Sequence, residues 1–301
     1  MANKTQEFSH NKFMKKFLRA FSLFFVAVFS LSIFGLLFID ARVARAEEVL
    51  DTKIVTVMYH SVLNGTKGRY IVSEKQLEND LIALKENGFV SVTAEEIVAY
   101  SEGRGLLPKK PVFITFDDGH YNNLFYAEKI LKKHGFTAVV NVVGAYSEHS
   151  ATSGDDKNPN YSHITWDEMA ETAKRGVIYF GNHSYSMHKF KPRYGIAQKP
   201  YETNDEYARV LSEDTLKLHE KIKKYAGYDT VVYAYPFGKY SVFAKDTLKN
   251  LGYKITLTCN EGVTTARFND PDSVIFMRRI NREGAYSTKE FINVIKKYYS
   301  R

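Results

Sequence analysis

The sequence predicts an α/β protein whose strands form a closed or nearly closed β/α barrel, distorted and TIM-like with seven strands. Apolar, β-branched runs alternate with helical patterns along the chain, and this alternation is typical of a parallel sheet. Seven strand candidates fall within about 250 residues, which favours a barrel over an open doubly wound sheet, the second choice. Polar motifs follow several of these strands, where α/β folds place their active sites.

Residues 1–46 have the organisation of an export signal. Basic residues between positions 12 and 19 precede an almost wholly apolar run at 21–39, and Ala44-Arg45-Ala46 offers a cleavage pattern. The run is long enough to span a bilayer, so a cleaved signal peptide and an uncleaved membrane anchor are both open. The preceding basic residues predict that the folded domain, 47–301, lies outside the cytoplasmic membrane, in the cell wall or beyond.

The net charge of +8 belongs mostly to this N-terminal segment. Residues 1–46 contain seven of the 42 basic residues and two of the 34 acidic residues, which leaves the rest of the chain at about +3. A basic excess confined to a targeting segment does not indicate nucleic-acid binding, so no nucleic-acid partner is expected.

The strand and helix candidates alternate from the N-terminal to the C-terminal end of the exported part. The strand candidates are 54–59, 111–115, 137–143, 177–180, 230–235, 254–257 and 274–277. Ser73, Thr93 and Thr165 are predicted N-caps. The helices begin after Ser73 and Thr93 and then cover 124–131, 166–175, 204–225, 241–251 and 288–299.

Two polar stretches, 147–163 and 189–203, interrupt this alternation. Both follow strands, so both are expected on the catalytic face, where we predict that they form walls of a substrate groove. Plain surface loops are the alternative. Two other residues are predicted to be structural: Trp166 as a core or helix-staple residue, and Cys259, the only cysteine, as a buried thiol.

Asp117 and Asp118 end the strand at 111–115, immediately before Gly119. Adjacent carboxylates repel unless a cation or a shared proton separates them. A metal on one carboxylate would leave the other as a general base for a bound water. A simple Asp-Gly turn is the structural alternative.

His183 and His188 follow the strand at 177–180. At a spacing of five residues they would diverge on a regular helix, so we expect an irregular segment that lets them converge. Two His and one Asp are a common ligand set for Zn²⁺ or another divalent metal. The sequence therefore predicts a metal-dependent hydrolase, with two solvated loop histidines as the alternative.

These motifs resemble those of the polysaccharide deacetylases of carbohydrate esterase family 4, over about 54–282. The segment Thr115 to Gly119 is similar to the family's first motif, which implies Asp117 as the catalytic base and Asp118 as a metal ligand. His183 and His188 correspond to the two metal-binding histidines. The common spacing of these histidines in the family is four residues, and here it is five. This longer spacing, and the pair Tyr59-His60 at the end of the first strand, resemble the biofilm poly-N-acetylglucosamine deacetylase branch.

The chain departs from the family pattern in three places. The arginine that normally holds the base is missing before Tyr235, and Arg279 is the proposed substitute, with Arg278 less favoured. The usual Asp-x-x-Asp-Trp motif is absent near 254–259. The late Leu-x-His motif, which supplies the general acid, is also absent. His60 is the candidate to replace it, and a buried His60 bonded to backbone is the alternative.

The segment Tyr235-Pro236-Phe237-Gly238 matches the remainder of the third motif. By resemblance, the backbone N–H of Phe237 helps to bind the oxyanion of the tetrahedral intermediate. A simple Pro-Phe-Gly turn is equally compatible with the sequence.

The resemblance implies metal-dependent hydrolysis of N-acetyl groups from N-acetylglucosamine units of a cell-wall or extracellular polysaccharide, with release of acetate. The expected partners are an acetylated polysaccharide, such as an N-acetylglucosamine polymer or peptidoglycan, and the membrane if the N-terminal segment is retained. Two alternatives are open. One is an O-acetyl esterase of the xylan type that uses the same site, and the other is a non-catalytic protein that binds wall polysaccharide.

Overall fold

The computed structural model describes residues 51–66, 68–154 and 156–300. The predicted signal or anchor at 1–46 lies outside these residues. The strands are β1 (Asp51–Tyr59), β2 (Ser61–Val62), β3 (Ile71–Val72), β4 (Val90–Ser91), β5 (Pro111–Phe116), β6 (Ala138–Val142), β7 (Ile178–Asn182), β8 (Val232–Ala234), β9 (Ile255–Glu261), β10 (Thr264–Arg267) and β11 (Met277–Asn281). The helices are α1 (Glu74–Glu86), α2 (Ala94–Ser101), α3 (Glu128–His134), α4 (Gly144–Ser153), α5 (Trp166–Ala173), α6 (Asn204–Ala226), α7 (Ala244–Asn250) and α8 (Thr288–Tyr299).

Seven parallel strands close into a ring in the order β1, β5, β6, β7, β8, β9 and β11. The ring closes at β1, where Val57 pairs with Ile114 on β5 and with Ile280 on β11. The short β4 pairs with β5, and β10 runs antiparallel to the start of β1. The predicted seven-stranded β/α barrel is confirmed, and the open doubly wound sheet is wrong.

The ring is irregular on one side. Strands β7 and β8 are joined by a single residue pair, Asn182 with Tyr233. The pairing of β9 with β11 shifts register between Met277 and Arg279. Few shared backbone bonds leave the strand ends free to diverge there, which accounts for the distortion of the barrel.

Alternation along β5 determines which way the catalytic motif faces. Val112, Ile114 and Phe116 belong to the apolar layer between barrel and helices, whereas Phe113 packs with residues inside the barrel. Because successive side chains on a strand point to opposite faces, Asp117 follows on the inward side. The strand thus delivers a carboxylate to the carboxyl end of the barrel interior.

Five helices begin with reciprocal capping boxes, at Ser73, Thr93, Thr165, Thr203 and Ser287. Each side-chain oxygen accepts from the backbone N–H three residues later, and the Gln or Glu at that position bonds back to the cap. The three predicted N-caps are therefore confirmed. Across the described ranges, none of the helices combines the length and apolarity that a bilayer crossing requires.

The segment 147–163 is not wholly a loop, because its first part continues α4 to Ser153. The helix has no side-chain N-cap at Val143, and its buried face includes Ser147 and Ser150. The Oγ of Ser150 accepts a hydrogen bond from the backbone N–H of His163, at 2.9 Å. Because polar side chains occupy the inner face of this helix, its sequence resembles that of a loop.

The last barrel strand also begins later than predicted. Residues Pro271–Val274 form a short 3-10 turn, which Asp270 caps by accepting from the N–H of Asp272. Phe276 has a positive φ of 61° and redirects the chain before β11 starts at Met277. The strand at 254–257 likewise extends further, to Glu261.

Candidate active site

The predicted site residues meet at the carboxyl ends of the barrel strands. One pocket is lined by His60 after β1, Asp117 and Asp118 after β5, His183 and His188 after β7, and Phe237 after β8. Arg279 lies on β11 and is fully buried beneath the pocket. Residues from five separate strands therefore converge on one space.

Asp118, His183 and His188 form the group that could hold a metal ion. One ligand atom from each residue lies within 4.8 Å of the other two. The Oδ1 atom of Asp118 is 3.2 Å from Nε2 of His188 and 3.7 Å from Nε2 of His183. Two imidazoles and one carboxylate fit the donor set that Zn²⁺ and related divalent ions prefer, with positions left for water.

Outer contacts orient this group. The Nδ1 of His183 lies 2.8 Å from the carbonyl oxygen of Ala234, so Nδ1 carries the proton and Nε2 presents a lone pair to the pocket. The Tyr146 hydroxyl is 3.3 Å from Nδ1 of His188. Asp118 itself has a φ of 72°, a left-handed conformation that turns it away from the path of β5.

The charge states of the group suit metal binding. Burial lowers the pKa of His188 to about 4, with a further contribution from His183, so its imidazole is neutral near pH 7. Burial alone would raise the pKa of Asp118, but the polar contact with His120 and the surrounding imidazoles of His60, His183 and His188 hold that pKa well below its usual value. The carboxylate is therefore ionised.

Asp117 is buried and held from two sides. Its Oδ1 accepts from Nη1 of Arg279 and from Nδ2 of Asn141, both at 2.8 Å, and its Oδ2 accepts from Nη2 of Arg279 at 2.7 Å. Burial would raise the pKa of Asp117, but the charge of Arg279 holds it well below its usual value. Oδ1 already has two partners and Oδ2 one, so Oδ2 retains an acceptor site.

The structure distinguishes the two candidate arginines. Arg279 also donates from Nε to the carbonyl oxygen of Thr258, at 2.8 Å, so its whole guanidinium is fixed beside Asp117. Arg278 is exposed and donates to the carbonyl oxygen of Glu261. Arg279 thus makes the contact expected of the missing family arginine, and Arg278 does not.

Asn141, on β6, was missed by sequence reasoning. It is fully buried, and its amide bonds Asp117 as described above. A Cβ added to Gly181 on the next strand would lie only 2.1 Å from the Oδ1 of Asn141. Glycine at that position therefore leaves the space that the Asn141 side chain needs to reach the carboxylate. The only sequence signal was a single Asn within an otherwise apolar strand.

We expect Gly181→Ala to displace Asn141 and to lower the rate of acetate release by about tenfold or more, since hydrogen bonds to charged groups contribute roughly 1.5–3 kcal/mol. The measurement is kcat on an acetylated glucosamine oligomer at saturating metal. Gly105→Ala is the control for a generic glycine effect, because a Cβ there meets only the Cβ of Ala99, at an ordinary contact distance of 3.5 Å. An undiminished kcat in Gly181→Ala would show that the Asn141 contact is dispensable.

His60 faces the pocket, as the general-acid hypothesis requires. Its ring packs against Tyr70 at 4.6 Å between centroids, and burial lowers its pKa. Its Nδ1 is buried without a hydrogen-bond partner within the described ranges. Nδ1 therefore makes no bond to backbone in this part of the chain, and the general-acid role of His60 stays a prediction.

Phe237 occupies a strained turn beside the metal group. Its φ is 56°, and the flanking turn is closed by bonds from the N–H groups of Gly238 and Lys239 to the carbonyl oxygens of Tyr235 and Pro236. Its ring lies 4.3 Å from the ring of His188. The oxyanion role of its N–H remains a prediction.

Cys259 is not the buried structural thiol that we expected. It is exposed and lines the same pocket, with its sulfur 3.9 Å from Nη2 of Arg279. Strand β9 continues past Leu257, so Cys259 takes the next inward position, at the level of the pocket. Trp166, in contrast, is buried in the core against Tyr225, as predicted.

The two long polar stretches differ in their relation to the pocket. Phe190 and Tyr194, from 189–203, line it, so this stretch forms a wall as predicted. None of the described residues of 147–163 lines it, so they do not form the predicted wall. His163 nevertheless stacks on His120 at 5.1 Å, and His120 lies 3.7 Å from Asp118. These outer histidines were not singled out from the sequence.

Comparison with protein families adds an independent observation. A family model described as polysaccharide deacetylase matches residues 104–256, just over half of the chain. The match contains both aspartates, both metal-site histidines and Phe237, whereas His60 and Arg279 lie outside it.

Two curated relatives are poly-beta-1,6-N-acetyl-D-glucosamine N-deacetylases. The protein from Escherichia coli (strain K12) is 25% identical over 237 residues, covering 70% of this chain and 34% of that protein. The protein from Staphylococcus epidermidis is 26% identical, covering 76% of this chain and 74% of that protein. The chain thus spans about a third of the length of the Escherichia coli relative.

Solved structures share the fold. IcaB from Ammonifex degensii is 26% identical and has a TM-score of 0.64, covering 81% of this chain and 95% of that chain. The Streptococcus pyogenes deacetylase PplD, solved in complex with acetate, is 23% identical and has a TM-score of 0.66, covering 81% of this chain and 98% of that chain.

Proposed function

Because the chain belongs to the polysaccharide deacetylase family, we propose that it is a metal-dependent hydrolase that removes N-acetyl groups from N-acetylglucosamine units of a cell-wall or extracellular polysaccharide. The reaction breaks the amide C–N bond and adds water across it. Acetate and a free amine are the products, and the amine is protonated near neutral pH.

One observation carries this proposal: a three-residue metal group and a buried, ionised carboxylate open into the same pocket. Asp118, His183 and His188 supply the ligand atoms, and Asp117 supplies the carboxylate. Adjacent carboxylates with separate partners are what a hydrolytic site needs, because one can bind the cation while the other accepts a proton.

A divalent cation held by Asp118, His183 and His188 would supply a Lewis acid and a water of lowered pKa. Asp117 then acts as the general base. Its Oδ2 has acceptor capacity, while Arg279 and Asn141 fix the orientation of the carboxylate. Because Arg279 keeps Asp117 ionised, the base is ready at neutral pH.

We assign the return of a proton to the departing nitrogen to His60, and stabilisation of the developing oxyanion to the N–H of Phe237. His60 shares the pocket with Asp117. Burial lowers its pKa, and the negative charges of Asp117 and Asp118 oppose that effect only in part. These two assignments rest on position in the pocket and on the family resemblance.

An N-acetylglucosamine polymer is the substrate that the relatives support. The Escherichia coli and Staphylococcus epidermidis proteins carry the name poly-beta-1,6-N-acetyl-D-glucosamine N-deacetylase. The five-residue spacing of His183 and His188 is similar to the spacing in that branch of the family. Peptidoglycan is the second N-acetylated polymer to test, because an identity of about 25% leaves the polymer open.

We expect the purified full-length protein to release acetate from a β-1,6-linked N-acetylglucosamine pentamer. Activity should fall to the background after treatment with a chelator and return when Zn²⁺ or Co²⁺ is added, because the proposed chemistry requires the cation. The readout is acetate concentration against time.

Two outcomes would favour the alternatives. Acetate release from acetylated xylan but not from the pentamer would indicate an O-acetyl esterase. Pentamer binding without turnover at any metal concentration would indicate a non-catalytic polysaccharide-binding protein.

We also propose that the domain is exported, with the N-terminal segment cleaved or kept as a membrane anchor. The basic and apolar pattern of 1–46 supports this proposal. N-terminal sequencing of the protein from intact cells distinguishes the two states, since cleavage after Ala46 leaves Glu47 as the first residue.

A further inference from the structure

Three aromatic rings form a continuous surface along one side of the pocket. We call Phe190, Tyr194 and Phe237 the aromatic wall. Phe190 stacks on Phe237 with centroids 4.5 Å apart and 21° between the ring planes. Tyr194 lies 5.4 Å from each of the other two rings. The three rings thus act as one extended surface rather than as separate side chains.

The aromatic wall is exposed where a folded protein would normally bury such groups. Phe190 is 66% exposed and Tyr194 is 42% exposed. Exposed apolar patches of this kind commonly mark a binding surface. The Phe237 ring is also 4.3 Å from the ring of His188, so the wall begins at the metal group.

The loop that carries Phe190 and Tyr194 is held rigidly. Arg193 is buried, and its guanidinium bonds Glu202 at 2.7 Å and the carbonyl oxygen of Ala197 at 2.8 Å. Ile196 is fully buried and accepts from the Tyr207 hydroxyl at 2.7 Å. Because the loop is fixed before any ligand arrives, little conformational entropy is lost on binding.

The surroundings of the aromatic wall define its ligand. The wall shares its pocket with Asp117, Asp118 and the two metal-site histidines. A ligand that fits must therefore combine an apolar face with polar edges. A pyranose ring does so, because its axial C–H bonds form one face and its hydroxyl and acetamido groups project around the rim. A lipid chain lacks such polar edges.

We propose that the aromatic wall is a binding subsite for the pyranose ring next to the unit that is deacetylated. This inference rests on the proposed function for the identity of the sugar. One sugar places its acetamido group at Asp117 and the metal group, and its neighbour in the chain stacks on Phe190 and Tyr194. The wall thereby selects a polymer over a single sugar.

The first test measures binding without turnover. The full-length protein is stripped of metal and titrated calorimetrically with the β-1,6-linked N-acetylglucosamine pentamer. We expect Phe190→Ala and Tyr194→Ala each to weaken binding by about threefold to tenfold, the range for aromatic contacts. Phe190→Tyr should keep most of the affinity, because it preserves the ring.

Tyr201→Ala is the matched control, because Tyr201 is on the same loop and fully exposed but does not line the pocket. It should bind the pentamer like the wild type. The inference is overturned if the wild type does not bind the pentamer, if Phe190→Ala and Tyr194→Ala bind it equally well, or if Tyr201→Ala loses as much. A lipid ligand would also overturn it. In that case Phe190→Ala would bind the pentamer like the wild type but would sediment less with phosphatidylglycerol vesicles.

The second test separates this inference from the proposed function. With metal restored, Phe190→Ala should raise KM for the pentamer more than for N-acetylglucosamine itself, while the metal content stays that of the wild type. Equal losses on both substrates would contradict a neighbouring subsite. If neither the wild type nor any variant releases acetate, the proposed function fails. The binding comparison still decides whether the aromatic wall holds a sugar.

Discussion

Asp117→Asn should lower the rate of acetate release by roughly 10²–10⁴-fold, because an amide cannot accept the proton of the attacking water. Metal content should be unchanged, since the proposed ligand atoms belong to Asp118, His183 and His188. His183→Ala, in contrast, should lose both metal and activity. The measurements are acetate release and metal content by elemental analysis, on the same preparations.

The fold of the variant needs its own control. Asp117→Asn leaves the buried guanidinium of Arg279 without a counter-charge, and breaking such a pair typically costs about 3–5 kcal/mol. The double variant Asp117→Asn with Arg279→Gln removes both charges and keeps the assay interpretable if the single variant unfolds. Full activity in either variant, with metal bound, would show that Asp117 is not the base.

The second large effect concerns stability. Arg282→Met should lower the free energy of unfolding by about 3–5 kcal/mol, because it leaves Asp80 buried without its partner. The Nε of Arg282 is 2.6 Å from Oδ2 of Asp80, and both side chains are fully buried. The hydroxyls of Tyr59 and Thr288 also donate to Asp80, so one carboxylate joins four segments of the chain. Urea unfolding monitored by circular dichroism gives the measurement.

A surface pair provides the matched control. Arg209 and Glu213 lie one turn apart on α6, with both side chains more than 60% exposed. Arg209→Ala should therefore change the free energy of unfolding by less than about 1 kcal/mol. If Arg209→Ala and Arg282→Met lowered the free energy of unfolding equally, burial would not be the reason for the loss in Arg282→Met.

The loss in Arg282→Met should depend on pH. Burial already raises the pKa of Asp80, and removal of Arg282 raises it further above the unfolded value of roughly 3.9. Below that unfolded value Asp80 is protonated in both states and no charge is buried. As the pH rises through the folded-state pKa, folding must bury a charge or bind a proton, so stability declines. The loss should therefore be greater at pH 8 than at pH 4.

Much of this site could be predicted because strand ends and short motifs are local properties of a sequence. The paired aspartates and the two histidines each follow a recognisable strand, and parallel strands in a barrel end on the same side. Their convergence needs no knowledge of side-chain packing. The barrel could be predicted from the number of strands, because each strand is also recognised from its local sequence.

The features that the sequence did not reveal depend on strand register. With the last strand placed at 274–277, both arginines appeared to follow it, and alternation could not separate them. Because β11 begins at Met277, Arg279 points inward with Met277, and Arg278 points outward. The same reasoning moves Cys259 to the pocket once β9 is extended.

Asn141 could not be predicted for a different reason. A polar residue in a buried strand is satisfied only by partners from other parts of the chain, and here the partner is Asp117, immediately after the neighbouring β5. The space that it occupies depends on Gly181 on the other neighbour, β7. Neither fact is visible in the run that contains Asn141.

The closure of the ring through Val57 has a consequence for synthesis. Its neighbours Ile114 and Ile280 are far apart in the sequence, so the ring stays open until Ile280 has emerged from the ribosome. Contacts this distant in sequence form slowly. A nascent chain of this protein therefore remains without its finished pocket until β11 is made.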